Sequence, residues 1–261
     1  MYINKYFTCL FLVFIIWSQQ YLISQELSKN ATLTKKWHYR VEPYMMFPNM
    51  SGSTGVEALP LVDVDASASD ILGKLQIGGM LYLEASNGNW SINSDLLFMN
   101  LKQDITSSTL INSGKVNAKQ LGWEIAGLKR ITPWLEFGIG GLLNSLEIDM
   151  NITRNQVGGG TISQSGKKSK TWFDPMLITR LTTPAGKKFI GQFRGEVGGF
   201  GIGSDFAWQV QALAGYRFSK LFDMTAGYRA IGLDYSSGEG VNTFVYDMIT
   251  FGPVLRFGFS F

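Results

Sequence analysis

From Trp37 onward, apolar and polar residues alternate with a period of two, and helical spacing of apolar residues is nearly absent. This alternation predicts strands over 37–47, 75–86, 89–105, 116–129, 134–153, 171–182, 187–200, 206–218, 221–235 and 244–261. The breaks between them differ in length. Short ones fall at Asn87-Gly88, from Lys129 to Pro133, from Thr183 to Gly186, and at Ser219-Lys220, and Asn-Gly is a strong hairpin signal. Longer ones fall near 106–115, 154–170, 201–205 and 236–243. The stretch 49–74 fits less well. "EALPLVDVDA" suits a strand and "SDILGKL" a short helix capped by Ser69, and the segment is expected to form a first external loop at the barrel mouth.

Short turns at one end and long loops at the other are the layout of an antiparallel up-and-down transmembrane β-barrel, here of about ten strands, with eight or twelve as alternatives. Alternation alone does not say which face is inside, because a soluble barrel and a membrane barrel both alternate. The charges separate them. The polar parity carries Arg40, Glu42, Glu84, Asp95, Glu124, Glu136, Asp174, Arg180, Arg194, Glu196, Arg217, Arg229 and Arg256, and no lysine. Near-parity of carboxylates and guanidiniums suits a crowded interior where each charge needs a partner, and the planar guanidinium suits carboxylates best. The other parity carries residues such as Trp90, Ile92, Trp123, Ile125, Phe137, Ile139, Phe193, Val210 and Tyr228, which suit lipid. The expectation is a charge-paired, occluded lumen.

Composition agrees with this. The chain of 261 residues has 30 Gly, 13% aromatic residues and only 16% charged residues. Lys5, the apolar run Phe7–Trp17 and small Ser24 form the pattern of a secretory signal peptide over 1–24, followed by a short periplasmic segment, 25–36, and a barrel domain, 37–261. The only cysteine, Cys9, falls inside the predicted signal peptide, so disulfide and thiol chemistry are not expected in the barrel. A net charge of +3 gives no case for nucleic acid.

The closing stretch "FGPVLRFGFSF" places Phe257, Phe259 and Phe261 on one face of the last predicted strand. Such a strand looks like the C-terminal signal read by the outer-membrane barrel assembly machinery. "WFDP" (172–175), "GEVGGFGIGSDFAW" (195–208), "GYRF" (215–218), "GYRAIGLDY" (227–235) and "GPVLRFGFSF" carry a wider resemblance, joined by "VEPYMMFPNMSG" and "VDVDASASDIL" in the first half. Through them the chain resembles a family of uncharacterised bacterial outer-membrane β-barrel proteins. The resemblance implies the fold and the outer membrane as location, with membrane lipid and the assembly machinery as partners, and implies no activity.

Candidate chemistry is sparse. The only histidine, His38, falls at the start of the first strand, away from the outer rim, and no enzymatic activity, cofactor or metal is expected. "GGFGIGS" (198–204) lacks the lysine and the helix of a phosphate-binding loop and is read as a tight external turn. Asp63, Asp65 and Asp70 are the only acidic cluster, without the pattern of a calcium loop. Two functional classes remain: a structural or surface-displaying barrel, and a narrow channel or carrier for small solutes.

Overall fold

The computed structural model describes residues 36–56, 61–105, 111–155, 160–184, 186–240 and 243–261; the predicted signal peptide and nearly all of 25–36 lie outside these. Trp37–Phe261 forms one unit. Its strands are β1 (His38–Met46), β2 (Asn49–Val56), β3 (Val62–Ala66), β4 (Leu75–Ser86), β5 (Trp90–Ile105), β6 (Ile111–Thr132), β7 (Leu135–Asn155), β8 (Thr161–Thr182), β9 (Phe189–Gly198), β10 (Phe206–Arg217), β11 (Phe222–Ser237) and β12 (Phe244–Ser260). A single short helix, α1 (Ala68–Lys74), precedes β4 among the described residues.

All pairings are antiparallel: β4 to β12 pair in sequence order, and β1 pairs with β4 on one side and β12 on the other, so the sheet closes on itself. Closure pairs both ends of the sheet over the lower part of the wall, which is the condition for crossing a membrane with strands, and leaves β3 and the upper part of β4 unpaired with each other. The upper part of β12 pairs with β2 and its lower part with β1, so β1 and β2 together make one stave. The run β3, α1, β4 makes the next, and the barrel therefore has ten staves. The expected external loop over 49–74 is thus corrected: its described parts are two strands and a helix built into the wall. The helix is capped by Ser67 and not by Ser69.

The burial pattern is that of a membrane barrel. Ile92, Phe137, Ile139, Phe193 and Tyr228 are exposed on the outside, whereas Glu136, Arg180, Arg194 and Arg256 are buried within. The short turns all lie at one end, which in outer-membrane barrels faces the periplasm. The first outward-facing charges above the apolar belt are Lys102, Lys119, Glu147, Asp234 and Asp247. Each lies twelve or thirteen residues from the periplasmic end of its strand. Tilted strands of that length span about 25–30 Å, the thickness of a bilayer core.

Above this band β6, β7 and β8 continue as a tall wall, where loops are expected over 106–115 and 154–170. The strands run through the described parts of both stretches.

Candidate functional site

The interior is built in two layers of charge. In the lower layer Arg40 forms a two-pronged pair with Asp223 on β11 (2.8 and 2.5 Å) and also meets Glu42. Arg180 on β8 reaches Glu136 at 2.5 Å, Tyr82 at 2.9 Å and Ser91 at 3.0 Å, and contacts Glu84 on β4. Arg130 donates to the other oxygen of Glu136 at 2.7 Å.

In the upper layer Arg194 is paired with Glu124 and Glu196. Gln209 donates to Glu196 at 3.0 Å and accepts from Arg229 at 2.7 Å. Arg229 also donates to the Tyr44 hydroxyl at 2.8 Å and lies 3.2 Å from Asp95. Arg256 reaches Glu42 at 3.2 Å and Asp95 at 3.5 Å, and its guanidinium lies 4.6 Å from the Tyr44 ring centroid. Cation–π contact of this kind is strongest where water is excluded.

The register explains why these bonds must cross the bore. Asp95 stands directly opposite Glu124 on neighbouring strands, and Arg180 directly opposite Arg194. Like charges so placed repel. Asp95 is met by Arg229 and Arg256, Glu124 by Arg194, and Arg180 by Glu84 as well as Glu136, so residues from other staves offset these like-charged pairs.

Two residues of the expected set stand apart. Arg217, at the periplasmic end of β10, donates to the Lys187 carbonyl at 3.2 Å and joins neither layer. Asp174 is held by four neutral donors. It accepts from the Ser204 backbone (2.5 Å) and hydroxyl (2.9 Å), from Asn144 (2.9 Å) and from the Trp172 indole (3.1 Å). These bonds pin the loop after β9 against β8, and Trp172 stacks on Tyr235 with centroids 4.2 Å apart. A Cβ at Gly203 would come 2.2 Å from the Phe173 carbonyl, so the "GGFGIGS" run serves this close approach. Conversely, the parity argument missed Asp223, Arg130, Tyr44, Tyr82 and Gln209. Asp223 and Arg130 lie at strand ends, where alternation is too short to assign a face; Tyr44, Tyr82 and Gln209 carry no charge and so do not register in an argument built on charges.

At and above the upper layer the described residues line two cavities. One, of about 40 Å³, lies among Asp95, Glu124, Gln209, Arg229, Leu97 and Met248. It has room for a few water molecules at most. The other, of about 270 Å³, lies at the outer mouth beside α1 and is lined by Met50, Val64, Ile71, Val116, Ile148 and Met248, among others.

Elsewhere the sequence candidates are dispersed. His38 is exposed at the turn end, opposite Ser86. Asp63 and Asp65 face outward on β3, and Asp70 bonds to Ser67. No group of three metal-ligating side chains is gathered among the described residues.

Fold, inverted burial and charged bore together define a β-barrel of the outer-membrane type. No protein-family model and no curated protein matches the sequence. Among solved structures the chain is similar in fold to the outer-membrane protease OmpT from Escherichia coli, at 9% identity over 89% of this chain and 99% of that one, with a TM-score of 0.47. It is also similar to Ail, the attachment invasion locus protein of Yersinia pestis, at 14% identity over 86% of this chain and 98% of that one, TM-score 0.36. A third is the toluene transporter TodX of Pseudomonas putida, at 8% identity over 86% and 90%, TM-score 0.35. These likenesses are of fold alone.

Proposed function

We propose that the protein is an integral outer-membrane barrel with a closed lumen, whose role is structural or surface-displaying rather than transport through the bore or catalysis. The observation that carries this reading is the cross-bore neutralisation of like-charged wall neighbours, Asp95 with Glu124 and Arg180 with Arg194. A water-filled channel would leave those neighbours facing each other. The single histidine, His38, at the opposite end from the outer rim, supports a non-enzymatic role. Phe257, Phe259 and Phe261 are proposed as the face read by the assembly machinery, and loss of Phe261 should then slow insertion in cells.

The deciding experiment is single-channel recording of the refolded barrel in a planar bilayer, with insertion confirmed by heat-modifiable gel migration. The expected result is a silent bilayer. Steady conductance steps proportional to salt would overturn the closed lumen in favour of a narrow channel.

A further inference from the structure

The wall has one interruption at membrane depth. The β1–β4 ladder runs from His38↔Ser86 up to Pro43↔Leu81 and stops there. Above it Tyr44, Met45 and Met46 pair only with β12, while Leu75 and Ile77–Met80 pair only with β5, with a register shift between Leu75 and Ile77. Pro43 has no N–H to carry the ladder further, and Pro48 follows. The seam is closed from above by α1, tied to β2 where Ala68 N–H donates to Asn49 Oδ1 at 3.0 Å.

Its depth is set by the outward residues. Met45, Phe47 and Ile77 are exposed on either side, below the level of Lys102 and Lys119, and therefore in the upper half of the apolar belt. Unpaired backbone facing lipid costs several kcal/mol per group, so a closed barrel is expected to avoid such a gap unless the gap has a use. Gly78 and Gly79 lie in it and are exposed. A Cβ at Gly79 would meet nothing, and one at Gly78 would meet first the mobile end of Leu75, at 3.3 Å.

Behind the seam the interior is apolar, unlike the charged bore below. Ile71, Leu97 and Met99 form a buried cluster, with Met50, Leu75, Met80 and Leu101 packed against it. Met50, Ile71 and Leu101 of this cluster also line the cavity of about 270 Å³. Methionine is flexible and yields readily to an entering group. Dry apolar cavities of roughly half that size take up molecules as large as benzene.

We propose that the β1–β4 seam is a lateral portal through which an alkyl chain from the outer leaflet enters the apolar cavity beside α1. The occupant is an alkyl chain because the entrance lies among lipid chains and the cavity lining is mostly apolar, its two charged members, Asp70 and Lys74, being exposed to solvent. Its source is either a membrane phospholipid or a free fatty acid dissolved in the leaflet. The charged layers below stop the chain from passing on towards the periplasm, so the site binds rather than conducts.

The test is photocrosslinking of the full-length mature barrel in lipid nanodiscs, with adducts mapped by mass spectrometry. One arm uses a phospholipid bearing a diazirine near its chain end, the other a diazirine fatty acid. Adducts on Ile71, Val116 or Ile148, whose side chains face the interior, are expected in at least one arm, and the arm that gives them identifies the source. In Gly78→Leu those interior adducts should be lost while adducts on Ile139 and Tyr228 of the outer face persist. Ala118→Phe, which fills the cavity, should lose them as well, and heat-modifiable migration checks that both variants are folded. Outer-face adducts without interior ones in both arms would overturn the proposal. Interior adducts unchanged in folded Gly78→Leu would overturn entry through the seam.

Discussion

Arg180 on β8 and Tyr82 on β4 are joined by a 2.9 Å hydrogen bond that crosses the bore, with three staves, β5 to β7, between them along the wall. The same guanidinium holds Glu136 and Glu84, so one side chain ties three parts of the barrel together. Arg180→Ala would leave Glu84 buried without that partner, and removing one member of a buried ion pair costs about 3–5 kcal/mol. Urea unfolding in lipid vesicles should show a loss of that size. Ser236→Ala, which removes one exposed hydrogen bond to Asp205, should change little.

The Asp174 latch makes a separate prediction. Ser204 donates through both its backbone N–H and its hydroxyl, and its oxygen also accepts from the Trp172 indole at 3.0 Å. In Ser204→Ala the indole keeps Asp174 as an acceptor but the carboxylate loses a donor, a cost of about 1–3 kcal/mol for a buried polar group. The loop 199–205 should then become open to protease in intact vesicles, whereas the wild-type loop resists.

Much of the barrel was legible because each strand within the membrane meets lipid on one side and charge on the other, so its pattern is unambiguous. The tall upper wall was not. Above the belt β7 and β8 face water on the outside, and runs such as "GKKSK" carry polar residues on both parities, which leaves no alternation to read. The β1–β2 stave was hidden for another reason: Pro48 and the Gly-Ser run 51–55 look like a loop, yet the free edge of β12 supplies a template for them. Partner choice within the lumen was not legible at all. Parity places Asp95 and Glu124 inside, but which arginines reach them depends on the closure of the cylinder, a property of no local stretch.

Helix α1 should respond to acid. The Asp70 carboxyl is held below the ordinary carboxylate range, first by the Ser67 hydroxyl, then by the Ser67 backbone N–H, with Lys74 adding a favourable charge. A carboxyl depressed in the folded state contributes stability that is present above its unfolded pKa and is lost as pH falls through the folded one. The amides of 68–74 should therefore lose exchange protection only on acidification below the usual carboxylate range. Asp70→Asn should show reduced protection at neutral pH and little further dependence on acid. Equal acid sensitivity in both proteins would remove Asp70 as the cause.

The upper charge layer gives the sharpest test of what closes the bore. Glu124, Arg194 and Glu196 take up part of its cross-section from β6 and β9, and the cavity of about 40 Å³ lies against Glu124. Truncating all three to alanine removes one positive and two negative side chains, so the barrel is not left with a lone buried guanidinium at that position. Arg229, Tyr44 and Asp95 retain one another, which preserves the rest of the layer. The triple variant should insert with normal heat-modifiable migration and conduct in steps proportional to salt, where the wild type is silent. The lower layer around Arg180 then becomes the narrowest point, and adding Arg180→Ala to the triple variant should raise the step size further. A triple variant as silent as the wild type would mean that the lower layer alone closes the lumen, and the added Arg180→Ala would then be the change that opens it.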